Sequence, residues 1–259
     1  MKQPHLICID LDGTLLGGTG FRPPSENLHA ICDARRLGHK VFINTGRSWA
    51  NIPQDLREVM DCFDGFSCAN GSYIRTPEKV LRNVTFPADV QSDALRYFLT
   101  EDSRFCLFES EQFVLQTQEY SDLYGSPGIR IFSPDEIHTR FNDCQCNVIS
   151  CEGKLPNAFL RRFSSRVNIF QCDVFSDCTP LGCSKAIGMQ YAAEICGIPM
   201  THTVAIGDSA NDLPMLQSAA ISVAMQNAAE DIREQVDYVT DSNNNCGVAQ
   251  IIRRLFLSD

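Results

Sequence analysis

The chain has 259 residues, of which 44% are hydrophobic and 21% charged, values ordinary for a globular protein with one large domain or two smaller ones. Its formal net charge of -10 and the lack of any cluster of Lys and Arg argue against a nucleic-acid partner, because phosphate-backbone binding relies on clustered cations. No apolar run approaches the roughly 20 residues needed to span a bilayer, so we expect no membrane partner.

The 13 cysteines raise the question of a disulfide scaffold. The sequence has no CxxC pair, and its start, MKQPHLICIDLDG, has no hydrophobic stretch long enough for a signal peptide. The tightest group, Cys144, Cys146 and Cys151, lacks the paired spacing of a zinc site, so we interpret these thiols as small hydrophobic side chains. We therefore expect a reduced, intracellular protein that resides in the cytoplasm.

The first third of the chain alternates predicted strands and helices. An apolar run at residues 6–9 predicts a buried strand, and RPPSENLHAICDARRLG predicts a helix with Pro and Ser at its start and Gly38 at its end. A second short strand follows in KVFINTGR, and a second βα step runs through SWANIPQDLREVM to a third strand around Phe66 and Cys68. This βαβ rhythm predicts a parallel sheet.

The rhythm changes between about residues 82 and 182. DVQSDALRYFLTED predicts a helix and RFCLFESEQFVLQT two alternating strands, while NVISCEG, LPNAFLRRFSS and VNIFQCDVFSD predict a strand, a helix and a strand. Short turns between neighbouring strands favour an antiparallel sheet. We predict an inserted α+β module, the cap, at residues 82–182, and an α/β core domain formed by residues 1–81 and 183–259.

The βα rhythm returns after the cap. Ser184 is a predicted N-cap for a helix that carries Ile187, Tyr191 and Ile195 and ends at Gly197. The following stretch, THTVAIGDS, predicts another buried strand that ends in an acid.

Reactive side chains follow three of the predicted strands of the core domain. They are Asp10 with Asp12, Thr45 with Gly46, and Asp208 with Asn211 and Asp212. The carboxyl ends of parallel strands meet at one edge of a sheet, and Lys185, in the first turn of its helix, can reach the same edge. Clustered carboxylates repel one another, so we expect a cation among them, and ligands that are all oxygen favour Mg²⁺ over zinc or copper.

The segments DLDGT, NTGR, GCSK and GDSAND, at residues 10–14, 44–47, 182–185 and 207–212, occur in the order of the four motifs of the haloacid dehalogenase superfamily. The chain resembles that family over nearly its whole length. A cap between the second and third motifs is similar to the Cof-type branch, subfamily IIB, made largely of sugar-phosphate phosphatases. The resemblance implies a Rossmann-like core and a Mg²⁺-dependent phosphatase that forms an aspartyl phosphate and acts on small phosphorylated metabolites.

The resemblance also implies roles for the motif residues. Asp10 would be the nucleophile, and Asp12 would protonate the leaving oxygen and then activate water. The residues that contact the phosphoryl group or the substrate would be Thr45, Gly46, Arg47, Lys185 and Asn211. Those that hold Mg²⁺ would be Asp10, Asp12 through its backbone carbonyl, and Asp208, with Asp212 orienting this shell from behind.

Some interpretations stay open at this stage. Asn70-Gly71 is typical of a hairpin turn, although the branch often carries this pair near the substrate. Arg47 and Trp49 lie just past the second motif and could face the substrate or the cap, and a helix-start charge and a packed ring fit these positions equally well. The five histidines, His5, His29, His39, His138 and His202, have no ligand spacing, and we interpret them as surface or core residues.

Two alternative functions also stay open, while a third, a protein phosphatase, would need an open site, and the size of the expected cap argues against it. A phosphomutase similar to phosphomannomutases would need cap residues that grip a second phosphate, and the cap contains Arg130, Arg140, Arg161 and Arg162. A non-enzymatic protein that binds phosphorylated metabolites could use the same fold, although no expected catalytic position is substituted. We expect a monomer or a small homo-oligomer.

Overall fold

The computed structural model describes residues 3–18, 20–118 and 129–257. Its strands, in chain order, are β1 (Leu6–Ile9), β2 (Lys40–Asn44), β3 (Gly65–Cys68), β4 (Tyr73–Arg75), β5 (Val80–Asn83), β6 (Cys106–Glu109), β7 (Val114–Gln116), β8 (Ile129–Arg130), β9 (Val148–Glu152), β10 (Val167–Phe170), β11 (Phe175–Pro180), β12 (Thr203–Gly207), β13 (Ile221–Ala224) and β14 (Tyr238–Val239). Its α-helices are α1 (Ser25–Arg36), α2 (Gln54–Arg57), α3 (Ala88–Thr100), α4 (Asp135–Phe141), α5 (Asn157–Phe163), α6 (Lys185–Cys196), α7 (Leu213–Ser218), α8 (Glu230–Arg233) and α9 (Gly247–Ile252).

The first sheet has the strand order β14-β13-β12-β1-β2-β3-β4-β5 and is parallel from β14 to β3. Its central strands are buried on both faces, as expected for a parallel sheet covered by helices. Ile9 at the end of β1 lies beside Ile43 of β2 and Ile206 of β12. The residues that follow these three strands are therefore brought to the same edge of the sheet.

The second sheet has the order β10-β11-β9-β6-β7-β8 and is antiparallel except where β7 pairs with β8. Helices α3 and α5 cover it with an aromatic hydrophobic cluster that includes Phe98, Phe108, Phe159 and Phe163. The chain leaves the first sheet after Asn83, the last residue of β5, and returns to it with β12.

The stretch VNIFQCDVFSD was expected to form one strand, and this expectation is wrong. It forms β10 and β11, an antiparallel pair joined by residues 171–174. Ser176 fixes this turn, because its hydroxyl accepts the backbone N–H of Cys172 at 3.2 Å and donates to the carbonyl of Gly153 at 2.8 Å. A polar anchor of this kind leaves no signal in the alternation of apolar residues. Gln171, Cys172 and Val174 of this turn line the active-site cavity described below.

The helix expected in SWANIPQDLREVM is reduced to the single turn of α2. Pro53 precedes it with an extended backbone, φ -58° and ψ 144°, so the residues before it cannot continue the helix. Residues 48–52 are instead a loop beneath the cap, and that loop contributes to the active site.

Helix α6 begins at Ser184, whose hydroxyl accepts the backbone N–H of Ile187, and it ends at a left-handed Gly197. The sequence pattern pointed to the face with Tyr191 and Ile195, but these side chains are exposed. Four of the six buried residues of the helix are small, including Gly188 and Ala192, and the other two are Lys185 and Met189. Small residues allow the helix backbone to lie close to the sheet. A prediction based on the spacing of large apolar residues does not detect a buried face of this kind.

Gly188 marks the closest approach of α6 to the sheet. A Cβ at this position would lie 2.1 Å from the Ser67 hydroxyl oxygen and 3.1 Å from Asn44 Oδ1. We expect Gly188→Ala to lower the free energy of unfolding by about 1–3 kcal/mol through overpacking. Adding Ser67→Ala should recover part of that loss, because it removes the nearest atom. Chemical denaturation of the single and double variants measures both effects, and a fully additive double variant would contradict this packing account.

All 13 cysteines are free thiols in this structure. Cys146 and Cys151 are buried in the hydrophobic cluster of the second sheet, and Cys144 packs against its edge. Across residues 3–18, 20–118 and 129–257, no helix combines the length and apolar character needed to cross a membrane.

Candidate active site

Lys185 lies at the centre of the charged cluster at the end of β1. Its Nζ is 2.6 Å from Asp10 Oδ1 and 2.6 Å from Asp212 Oδ1, and all three side chains are buried. Burial alone lowers the pKa of this lysine, but the adjacent carboxylates of Asp10 and Asp212 outweigh burial and raise it above its usual value. Lys185 is therefore a permanent cation that neutralises only part of the cluster.

The negative charge of the Asp10, Asp208 and Asp212 carboxylates exceeds the single positive charge that Lys185 supplies to this cluster. Burial, followed by the nearby Asp212 carboxylate, raises the pKa of Asp10 well above its usual value. The same two causes raise the pKa of Asp208 to about 7. Buried carboxylates whose charged forms are destabilised by burial and by one another would be stabilised by a cation among them.

The donor set fits a hard divalent cation such as Mg²⁺. Carboxylate oxygens of Asp10, Asp208 and Asp212 all lie within 4.8 Å of one another. Asp212 is already engaged, because its Oδ1 binds Lys185 and its Oδ2 accepts the backbone N–H groups of Asp208 and Ser209. Asp10 and Asp208 are therefore the carboxylates best placed to hold a cation, with Asp212 orienting the loop that carries Asp208.

The short residues after Asp12 give Asp208 its position. Gly13 has φ +80°, and a Cβ there would lie 2.3 Å from Asp208 Oδ2. The Thr14 hydroxyl donates a hydrogen bond to Asp208 Oδ1 at 2.8 Å. Gly13 is thus required both by its backbone conformation and by the close approach of the carboxylate.

Thr45, Gly46 and Asn211 line the same cavity as Asp10 and Asp208. The backbone N–H of Thr45 donates to the backbone carbonyl of Ser67 at 2.9 Å. The Thr45 hydroxyl oxygen accepts the backbone N–H of Arg47 at 3.1 Å. Asn211 Nδ2 lies 3.3 Å from Asn70 Oδ1. The structure thus brings the predicted phosphoryl-binding residues to one cavity with Asp10.

Arg47 and Asp12 form a bidentate ion pair. Arg47 Nε and Nη2 each lie 2.7 Å from one Asp12 carboxylate oxygen. The Arg47 side chain is 7% exposed, while that of Asp12 is 50% exposed and faces the cavity. The guanidinium also donates to the backbone carbonyl of Asn51 at 3.3 Å. Arg47 therefore pairs with Asp12, the residue expected to act as general acid and base, and Lys185 pairs with Asp10 and Asp212.

The sequence analysis missed a carboxylate that the cap contributes. Asp177 of β11 accepts hydrogen bonds from Asn70 Nδ2 at 2.8 Å, Ser150 Oγ at 2.8 Å and Asn211 Nδ2 at 3.4 Å. A Cβ on Gly46 would lie 2.8 Å from Asp177 Oδ2. Burial raises the pKa of Asp177, and the bonds from Asn70 and Ser150 offset part of this effect. An acid inside a predicted strand was the available signal, since Asp is unfavourable there.

Glu109 is a second carboxylate of the cap that the sequence analysis missed. It ends β6, is buried, and accepts the backbone N–H of Ser48 at 3.3 Å. Burial raises its pKa, while hydrogen bonds from the side chains of Ser48 and Asn51 act in the opposite direction. Glu109 therefore joins the cap to the loop that follows Arg47.

These residues surround a cavity of about 470 Å³ between the core domain and the cap. The core domain contributes the motif residues, and the cap contributes Glu109, Ser150 and Asp177 together with apolar side chains that include Leu107, Phe170 and Phe175. A cavity of this size suits a small molecule.

Two of the open interpretations can be decided for this structure. Asn70 and Gly71 form the tight turn between β3 and β4, with φ 50° and φ 82°, and the Asn70 side chain also contacts Asp177 in the site. Trp49 is a packed ring: it contacts Phe66 and Tyr73, and the guanidinium of Arg75 lies 4.2 Å from its centroid.

No histidine lines the cavity within the described part of the chain. His5, His39 and His202 lie together with Phe256, which is compatible with the expected surface or core role. Nor do the four arginines considered for a second phosphate line the cavity. Arg140 pairs with Glu136, Arg162 pairs with Asp93 and Glu101, and Arg130 lies over the Phe132 ring.

The amino-acid sequence of this chain is similar to those of known proteins. The sequence model of a family described as haloacid dehalogenase-like hydrolases matches residues 7–252. Two curated relatives from Bacillus subtilis are named 5-amino-6-(5-phospho-D-ribitylamino)uracil phosphatase. YcsE is 29% identical, with 97% of this chain and 96% of the relative covered, and YitU is 25% identical, with 98% of each covered.

The fold of this chain is also similar to those of solved structures. A protein described as a HAD subclass IIB sugar phosphatase, BT4131, superposes with a TM-score of 0.87 at 25% identity, covering 98% of this chain and 100% of the other. A second structure, reported for its trigonal-bipyramidal intermediate in a phosphoryl-transfer superfamily, has a TM-score of 0.85 at 25% identity, covering 99% and 100%.

Proposed function

Because the chain belongs to the haloacid dehalogenase-like hydrolases, as a phosphatase of the Cof-type branch with an α/β core and a cap, we propose that it hydrolyses monoesters of small phosphorylated metabolites. We propose sugar phosphates as the first substrate class, Mg²⁺ as the cofactor and an aspartyl phosphate on Asp10 as the intermediate. The observation that carries this proposal is the buried contact of Lys185 with Asp10 at the floor of a cavity that the cap covers.

Asp10 and Lys185 support covalent catalysis. In the proposed reaction, an Asp10 oxygen attacks phosphorus while the bond from phosphorus to the leaving oxygen breaks. Lys185 holds Asp10 in a fixed position and offsets the charge that develops on the phosphoryl oxygens. Thr45, the backbone N–H of Gly46 and the Asn211 amide would donate to those oxygens. Mg²⁺, held by Asp10 and Asp208, would supply further neutralisation of phosphoryl charge.

Asp12 would transfer protons in both half-reactions. It would first give a proton to the leaving oxygen and then remove one from the water that hydrolyses the aspartyl phosphate. Both Asp12 oxygens accept hydrogen bonds from Arg47, an arrangement that suits the ionised carboxylate, so protonation of Asp12 would weaken this pair. The contact of Arg47 with the substrate that the sequence analysis expects stays a prediction.

The choice of substrate class follows the relatives and the cavity. One structural relative is named a sugar phosphatase, and two curated relatives are named phosphatases of a phosphorylated ribitylaminouracil. All three names describe phosphate on a small polyhydroxylated molecule, and a cavity of about 470 Å³ is compatible with that size.

Hydrolysis is favoured over the two alternatives. A phosphomutase needs a second phosphate site, and the cap residues that line the cavity include no Lys, Arg or His among those described. A purely binding protein gains nothing from Asp12, a half-exposed carboxylate that would repel a bound phosphate.

The test is phosphate release from a panel of sugar phosphates, phosphorylated cofactors and p-nitrophenyl phosphate. We expect release in the presence of Mg²⁺, its loss in excess chelator, and its recovery when Mg²⁺ is restored. Mg²⁺ should also raise the melting temperature, since a ligand at 100 times its Kd stabilises the folded state by about 2.7 kcal/mol. Equal turnover with and without chelator would contradict the assignment of Mg²⁺ as cofactor. A folded protein that releases phosphate from no member of the panel would contradict the proposed phosphatase activity.

A further inference from the structure

The cap side of the cavity presents hydrogen-bond acceptors to the part of the substrate beyond the phosphate. Asp177 and Glu109 both line it. Asp177 accepts from Asn70 and Asn211 at Oδ2 and from Ser150 at Oδ1. A carboxylate has about four acceptor positions, so Asp177 retains capacity for one more donor at Oδ1.

A second acceptor lies on the loop beneath the cap. Asn51 lines the cavity and is 4% exposed, and its Oδ1 has no hydrogen-bond partner within the described residues. The amide nitrogen of the same side chain faces Glu109, which accepts a hydrogen bond from it. The orphaned atom is therefore the carbonyl oxygen. A buried acceptor without a partner is costly unless a ligand supplies a donor.

Positive charge to receive a second anion is lacking in this cavity. The cations that line it within the described residues are Arg47 and Lys185, and carboxylates already pair with both. Two further cations of the cap lie in ion pairs outside the lining of the cavity: Arg104 pairs with Asp102, and Lys154 pairs with Asp173. Residues 119–128 contain no Lys, Arg or His in their sequence. A second phosphate or a carboxylate on the substrate would therefore face Asp177 and Glu109 without compensation.

Apolar side chains contribute much of this wall, next to Gln171 and Cys172. Leu107, Phe170 and Phe175 line it, and Val174, which is 68% exposed, stands at the tip of the turn between β10 and β11. Such side chains cover the carbon face of a ligand, while the acceptors contact its hydroxyl or amino groups.

From these observations, and resting on the proposed function, we propose that the substrate is a monophosphate whose leaving group carries no further negative charge and is rich in hydrogen-bond donors, such as hydroxyl or amino groups. We assign Asp177 as the residue that determines this specificity, because it lines the cavity, contacts the side-chain amides of Asn70 and Asn211 in the core domain, and retains a free acceptor position. The cap thus discriminates by repelling substrates with a second anion as well as by attracting donors.

Matched pairs of substrates test the proposal. One pair is glycerol 3-phosphate and 3-phosphoglycerate, in which a hydroxymethyl group is replaced by a carboxylate. A second is fructose 6-phosphate and fructose 1,6-bisphosphate. With Mg²⁺ present, we expect kcat/KM to be roughly 100-fold higher for the member without the second anion. Equal values, or a preference for the doubly anionic member in both pairs, would overturn the proposal.

Asp177→Asn tests the assignment to this residue. The ratio of kcat/KM within each pair should fall about tenfold in this variant, and the ratio cancels any loss of catalytic power common to both substrates. Asp173→Asn is the matched control, since Asp173 lies at the same turn but is exposed and pairs with Lys154. Its ratios should equal those of the wild type. An unchanged ratio in Asp177→Asn would remove the assignment, and the wild-type ratios decide the substrate class even if this variant does not fold.

Hydrolysis of p-nitrophenyl phosphate separates this inference from the proposed function. If the wild type hydrolyses it with Mg²⁺ but shows no preference within the pairs, the substrate inference fails and the phosphatase stands. If the wild type hydrolyses neither this ester nor any member of the pairs, the proposed function fails, and the substrate inference fails with it.

Discussion

Replacing Asp10 with Asn is expected to abolish turnover, lowering kcat by on the order of 10⁴-fold or more, while the protein remains folded. An amide oxygen is a poor nucleophile, and the variant cannot form the aspartyl phosphate. Stability should not suffer, because burial and the neighbouring Asp212 already disfavour the charged form of Asp10. The Asn side chain also preserves the shape of the site and can still accept a hydrogen bond from Lys185.

Steady-state kinetics with p-nitrophenyl phosphate, together with thermal unfolding, measure this prediction. Asp33→Asn is the matched control, because it removes a carboxylate from an exposed ion pair with Arg36 and should leave kcat unchanged. A further readout is specific to the intermediate: the wild type stopped in acid during turnover should carry phosphate on the chain, and Asp10→Asn should carry none. Substantial residual hydrolysis by Asp10→Asn would remove the nucleophile assignment.

Replacing Lys185 with Met is expected to damage both stability and activity. Asp10 and Asp212 would then be buried without their shared cation, and removing one partner of a buried ion pair costs about 3–5 kcal/mol. Loss of a fixed positive charge at the phosphoryl group should lower kcat by roughly 10²- to 10³-fold. Methionine has a similar length and fills the space of the lysine stem, so the destabilisation would come mainly from charge.

A second substitution separates charge from packing. Lys185→Met combined with Asp212→Asn removes one of the unpaired carboxylates, and the Asn oxygen can still accept the backbone N–H groups of Asp208 and Ser209. We expect the double variant to regain part of the lost unfolding free energy in denaturant titrations but not to regain the lost kcat. Lys40→Met, which removes a partly exposed ion pair with Asp64, should cost less than about 1 kcal/mol. A Lys185→Met variant as stable as the wild type would contradict this account.

The sequence by itself determined the core domain and the identity of the motif residues. Apolar runs that end in Asp10, Thr45 and Asp208 can be recognised locally, because a buried parallel strand is continuously hydrophobic and its end is polar. Parallel pairing then brings these ends together whatever the details of packing, as the alignment of Ile9 with Ile43 and Ile206 shows. The order of the four motifs adds the chemistry, since it implies the nucleophile, the acid and the lysine.

Only the tertiary structure decided how the cap meets the core domain. The contacts of Asp177 with Asn70 and Asn211 join residues 107 and 34 positions apart in sequence, and no periodicity encodes them. The same holds for Glu109 with Ser48 and for Arg47 with Asp12, which are separated by 61 and 35 positions. Such polar contacts depend on the meeting of two surfaces, whereas strand and helix patterns depend on neighbouring residues. The motif residues at the floor of the cavity can therefore be predicted from the sequence, whereas the contacts between the cap and that floor follow only from the tertiary structure.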